Sequence, residues 1–160
     1  MKVRQVFAGF AACIATTACT AQTTPSAWRA LKATDPPISD ERVSLQMTKV
    51  EADFNGDGKP DQAVVLLHKE DTNRAGVFVF SNGATKASSI KKLGEYQFSE
   101  GEFMLSAVNK GCYRSEKRTV CLRYSGVLRT EIEYGWGTLY WQEGGKWREV
   151  QFARGEFAGL

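Results

Sequence analysis

The chain has 160 residues, of which 42% are hydrophobic and 24% charged, enough for one domain with a single core. Its formal charge of +3 falls to +1 once Lys2 and Arg4 are set aside with a leader, because the 21 basic residues become 19 against 18 acidic ones. No basic stripe survives this subtraction, so nucleic-acid binding has no electrostatic footprint in the sequence and is not expected.

Residues 1–21 begin with Lys2 and Arg4, continue through an apolar stretch from Val6 to Ala15 and end in small residues, the order of a secretory signal. The apolar stretch is too short to span a bilayer, which takes about 20 apolar residues. Two processing routes are compatible with it. Cys19-Thr20-Ala21 offers small residues to an ordinary signal peptidase, whereas Thr16-Thr17-Ala18-Cys19 is similar to a bacterial lipobox with Cys19 as the lipidated residue. The expected location is therefore the periplasm or the outer membrane, lipid-anchored if Cys19 is acylated, with an extracellular location also compatible. Membrane contact would come only through that anchor.

Residues 22–42 are Thr-, Ala- and Pro-rich and read as a linker or loosely docked arm. Ser26 could cap a short helical turn through Trp28 and Leu31, and Pro36-Pro37 stops it. A β-domain is expected over 43–160, starting with the alternation Val43, Leu45, Met47.

Next comes Asp53-Phe54-Asn55-Gly56-Asp57-Gly58-Lys59-Pro60-Asp61. Side-chain oxygens stand at its first, third, fifth and ninth positions, with Lys59 able to add its backbone carbonyl at the seventh, the donor set a hard cation such as calcium takes. Gly58 suits the sharp turn around an ion. An EF-hand would carry Glu at the twelfth position and helices on both sides, but Val64 stands there within an apolar β-branched run. An Asx-rich turn without metal is the alternative. Against it, carboxylates that converge repel one another unless a cation sits among them. The segment resembles the calcium loop of FG-GAP or VCBS-type repeats of bacterial envelope proteins, a resemblance that covers about fifteen residues and implies calcium as the bound ion. A single copy argues against a tandem-repeat propeller.

Further strands are expected at 63–69, 76–80, 90–93, 102–109, 119–124, 127–134, 138–142 and 147–152, separated by turn residues. Gly144-Gly145 is the strongest hairpin signal, since both central residues of a type I′ turn need positive φ. The fold class is thus all-β, one antiparallel domain of about nine short strands arranged as a barrel, sandwich or small propeller-like sheet. Cys112 and Cys121, the two cysteines outside the leader, suit a disulfide across a hairpin turning at Glu116-Lys117. A zinc pair would need further ligands.

Chemistry is sparse. The single histidine, His68, ends an apolar strand and makes a poor triad, and Glu95, Glu100, Glu102, Glu131 and Glu133 fit solvated strand faces. No nucleophile with its base stands out, so a non-enzymatic protein is expected. Recognition residues are sought at Ser125, Gly126 and Arg129, and at Tyr134 and Trp136 in the glycine-flanked Glu133-Tyr134-Gly135-Trp136-Gly137, although both segments also read as ordinary turns. A small exported β-domain with a disulfide and this acidic loop resembles periplasmic lysozyme inhibitors and related immunity proteins. Ser125-Gly126 resembles the start of their inhibitory loop, with Arg129 where that loop has tyrosine. The resemblance implies a partner protein, a peptidoglycan hydrolase. A glycan- or peptidoglycan-binding module using Trp136 and Trp141 is the alternative, and a hydrolase using the acidic loop as its metal site ranks last.

Overall fold

Two runs, Asp61–His68 (β3), apolar from Ala63 to Leu67, and Arg74–Phe80 (β4), apolar after Arg74, form adjacent strands that are buried or half-buried on both faces along these stretches. The computed structural model describes residues 24–35, 44–81, 89–98, 103–115, 118–131, 135–153 and 155–156. Among them β3 and β4 lie inside a five-stranded antiparallel sheet. β1 (Trp28–Ala30) and β2 (Lys49–Ala52) pair end to end along one side of β3, while β5 (Ile90–Gln97) pairs with β4 on the other side. The second sheet has the order β11 (Lys146–Ala153), β10 (Trp136–Glu143), β9 (Gly126–Glu131) and β6 (Phe103–Val108). β7 (Gly111–Arg114) and β8 (Thr119–Leu122) form a separate two-stranded hairpin.

The sheets pack face to face. Ala63, Val65 and Leu67 of β3 and Ala75, Val77 and Val79 of β4 join Leu105, Val127 and Tyr140 of the second sheet in one core, which Phe54 and Phe98 complete from loops. On the far face of the second sheet, Leu128, Leu139, Val150 and Phe152 meet Val120 and Leu122 of the β7–β8 hairpin. On the far face of the first, Trp28, Leu66, Phe78 and Phe80 cluster. The second sheet is thus covered by the first sheet on one face and by the β7–β8 hairpin on the other, whereas the far-face cluster of the first sheet is made by its own side chains packing on one another. The edge strands β5 and β11 stay more exposed, with alternation clearest over Glu95–Gln97 and Glu149–Ala153.

The all-β antiparallel class expected from sequence is the one observed, with eleven strands among the described residues and no closed barrel. The Gly144-Gly145 turn has φ of 57° and 74° and sets Glu143 opposite Lys146. Cys112 faces Cys121 in the β7–β8 register and is disulfide-bonded to it.

Three local expectations need correction. Trp28 lies in a strand rather than a helical turn, because the free side of β3 offers its ring a site against Phe78 and His68. The alternation through Leu45 and Met47 belongs to a 3-10 turn at Leu45–Thr48, closed by the Thr48 hydroxyl donating to the Leu45 carbonyl at 2.7 Å. β5 does not stop at Leu93. A bulge there lets the register skip from Lys92 to Gly94, and pairing continues to Gln97.

Candidate functional site

The acidic loop joins β2 to β3 and is organised by its own backbone. Asp53 accepts the Gly56 N–H at 2.6 Å and the Gly58 N–H at 3.0 Å, and Asn55 Oδ1 accepts the Asp57 N–H at 2.9 Å. Asp57 accepts the Lys59 N–H at 2.8 Å. Gly56 and Gly58 have φ of +82° and +78°, a region side chains rarely enter. Asp61, only 1% exposed, accepts the Phe54 N–H at 3.1 Å, and that bond fixes the wholly buried Phe54 ring in the inter-sheet core.

The Asn55 amide lies 3.3 Å from Asp57 Oδ2 and 3.4 Å from Asp61 Oδ1, so these three side chains gather at one place. The donors are hard oxygens throughout, the chemistry calcium takes. Among the described residues, no group of three or more His, Cys, Asp or Glu side chains converges as a metal centre. What holds the loop here is the ring of N–H donors.

The structure also joins two segments that the sequence kept apart. The Ser125 N–H donates to the Asp53 carbonyl at 3.3 Å, and the Tyr124 ring lies directly against Gly56, where a Cβ would collide with it. Ser125-Gly126 is thus the neighbour of the acidic loop. Gly126 is itself buried, since a Cβ there would meet Leu122 and Leu139.

Arg129 lies elsewhere, 7% exposed on the inner face of β9. Its guanidinium stacks 3.8 Å from the centroid of the Tyr96 ring and pairs with Glu131 at 2.9 Å. The Tyr96 hydroxyl in turn bonds the Tyr140 hydroxyl across the two sheets. Burial pushes both phenols above their ordinary pKa, and for Tyr96 the neighbouring Tyr140 adds to the effect. This is a buried polar tie between sheets, in keeping with a positioning role for Arg129.

Trp136, 55% exposed, opens β10 opposite Ala153, whereas Trp141 is partly buried against the β7–β8 side. Tyr134 and Cys19 lie outside the described residues. His68 sits at the end of β3 with its ring edge-on to Trp28 at 5.3 Å. Glu95 pairs with Lys92 and Arg74, which hold its carboxyl below the usual range.

One feature was missed from sequence. A cleft of about 600 Å³ opens beside β5 and the β10–β11 hairpin, lined among others by Lys91, Leu93, Tyr140, Lys146, Trp147 and Arg148. Its only sequence trace is the clustering of lysine at 91–92 and of Lys146 with Arg148 near strand ends, which reads locally as ordinary edge protection.

No family model, curated protein or solved structure matches the chain. Among the described residues no helix is long and apolar enough to cross a membrane.

Proposed function

We propose that this chain is an exported, calcium-stabilised, non-enzymatic β-protein that works by binding a partner protein. The single observation that supports the reading best is the open cleft between edge strands, floored by Tyr140 and Trp147 on a scaffold tied together by buried groups. A partly apolar recess between hydrogen-bonded strands favours association, because its main chain is already ordered before binding. The leader-like residues 1–21 and the Cys112–Cys121 bond favour an oxidising compartment outside the cytoplasm, the periplasm or the outer membrane.

Calcium enters as a brace. Asp53, Asn55, Asp57 and Asp61, with the Lys59 carbonyl, would hold the ion at the start of β3, stiffening the loop that buries Phe54. A peptidoglycan hydrolase is the proposed partner class, on the strength of the short resemblance to lysozyme inhibitors around Ser125-Gly126. Capture from periplasmic extract followed by inhibition assays tests this reading. It fails if no partner is retained and no hydrolase class is slowed.

The exposure of Trp136 supports a second reading, a peptidoglycan-binding module. That reading predicts retention of the protein on purified peptidoglycan, weakened by Trp136→Ala. Equal retention of the variant counts against it.

A further inference from the structure

Among the described residues β7 and β8 pair only with each other, outside both sheets. Alternation gives this hairpin two faces. Val120 and Leu122, with Tyr113 from β7, face the second sheet and pack on Leu128, Leu139, Val150 and Phe152. Cys112 and Cys121 oppose each other on the other face, and both are exposed, although the residues on either side of Cys121 are buried. A thiol can therefore reach this disulfide in the folded protein.

The surroundings of the bond are basic. From Asn109 to Ser125 the chain carries Lys110, Arg114, Lys117, Arg118 and Arg123 against the single acid Glu116, whereas the whole chain without its leader is nearly balanced. Glu116 and Lys117 lie outside the described residues. Arg118 turns to the second sheet, where it donates to the Gln151 carbonyl and pairs with Glu156 at 3.2 Å. Arg114 stands two residues from Cys112 on β7 and so shares the exposed face with the cysteines, and its register partner Thr119 is uncharged. Lys110 and Arg123 are exposed at the base of the hairpin. There the acidic loop comes close, since Tyr124 lies against Gly56. Arg114 is at the opposite end of the register, beside the turn.

We propose that Cys112–Cys121 is a thiol–disulfide exchange site, and that its basic surroundings select an anionic thiol as the reductant. The thiolate of that reductant attacks one sulfur of the pair, forming a mixed disulfide and expelling the other cysteine as a thiolate, which takes a proton from water. A second thiolate then attacks the reductant's own sulfur in the mixed disulfide. This releases an external disulfide and the second cysteine, which is protonated in turn. Two electrons and two protons reach the protein, and two thiols are oxidised to one disulfide. Positive charge favours the approach of an anionic thiolate and stabilises each outgoing cysteine thiolate, while exposure supplies the access that exchange needs. The site stands independently of the partner-binding reading.

The test uses protein purified after expression of the full chain and incubated under native conditions with one of three thiols. These are 2-mercaptoethanesulfonate, 2-mercaptoethanol and cysteamine, which are anionic, neutral and cationic. Samples are quenched in acid, alkylated and mapped by mass spectrometry, so that Cys112 and Cys121 are read apart from Cys13 and Cys19. Each rate is divided by that of the same thiol on hydroxyethyl disulfide, a neutral reference that removes the thiols' own differences in reactivity. The normalised rates should fall in the order anionic, neutral, cationic. The ends should differ about tenfold in about 0.05 M salt and about twofold in about 0.5 M. K110E/R114E should reverse the order, and the milder K110Q/R114Q should flatten it. K69E/K91E makes the same change in net charge away from the hairpin and should keep the wild-type order. Because loosening the hairpin speeds all three thiols alike, the order reads the charge alone.

Rates that do not rise with thiol concentration overturn the proposal, because the bond would then be reached only through unfolding. Equal normalised rates for the three thiols on wild type overturn it too, as does a K110E/R114E variant that keeps the wild-type order. A disulfide that survives native incubation and is reduced only in denaturant is the remaining contrary result.

Discussion

Replacing Asp61 with alanine removes the carboxylate that ties the acidic loop to the core. Asp61 is 1% exposed and accepts the Phe54 N–H at 3.1 Å and the Asn55 amide at 3.4 Å. Without it the Phe54 N–H is left buried without this acceptor, a cost of about 1–3 kcal/mol, and the longer bond to Asn55 adds little. A loss of ~2 kcal/mol lowers the melting temperature of a domain this size by roughly 8 °C. Asp61→Asn keeps one oxygen for the Phe54 N–H and should lose less in chelator. Both variants should lose the calcium response. If the proposed calcium brace holds, calcium at about 100 times its Kd should raise wild-type stability by roughly 2.7 kcal/mol. Thermal melts in chelator and in excess calcium read both effects. An Asp61→Ala variant that melts within about 2 °C of wild type in chelator refutes the hydrogen-bond argument. A wild-type melting temperature indifferent to calcium refutes the brace.

Gly94 leaves room for the Tyr96 and Tyr140 hydroxyls, into which a Cβ would run, so Gly94→Ala should destabilise by about 1–3 kcal/mol in denaturant titrations; a neutral result would mean the bulge at Leu93 absorbs the methyl group. Because burial raises both phenol pKa values, their contribution to stability is intact below pH ~10, the unfolded value, and is lost as pH climbs beyond it. Their tyrosinate absorbance should appear only with unfolding, and its appearance in the folded protein near the ordinary value would contradict the buried pair. Arg29 grips Asp35 through two bonds of 2.7 and 2.8 Å and holds its carboxyl below the usual range, aided by the Lys32 N–H. Here the sign is reversed: the stabilisation is present above pH ~4 and lost as pH falls further, so Asp35→Asn should cost about 1 kcal/mol at neutral pH and almost nothing in acid. A pH-independent difference between the melts would show that the bond's charge is irrelevant.

Much of this architecture is legible from local pattern. The run Ala63-Val64-Val65-Leu66-Leu67, the Gly144-Gly145 turn and the Cys112 and Cys121 spacing each carry their structure within a few residues. Trp28 and Leu31, three apart, read equally well as a helical face, and what decides for a strand is the vacant side of β3, supplied by residues 66–68. Arg129 breaks an apolar strand and looks like a surface residue until Tyr96, from the other sheet, supplies the ring it stacks on. The acidic loop could be recognised from its donors, but its contact with Tyr124 and Ser125 depends on the chain returning much later. The cleft was least legible, because two edge strands from different sheets build it and neither announces its neighbour.

The proposed function predicts that this protein binds a cell-wall hydrolase and turns nothing over itself. Its most direct test measures lysis of purified cell walls by hydrolases of several classes as the protein is titrated in. A saturable fall in the lysis rate for at least one hydrolase, with an end point near one protein per enzyme, is the predicted result. Unchanged rates across all classes, or clearing of the walls by the protein alone, would contradict it.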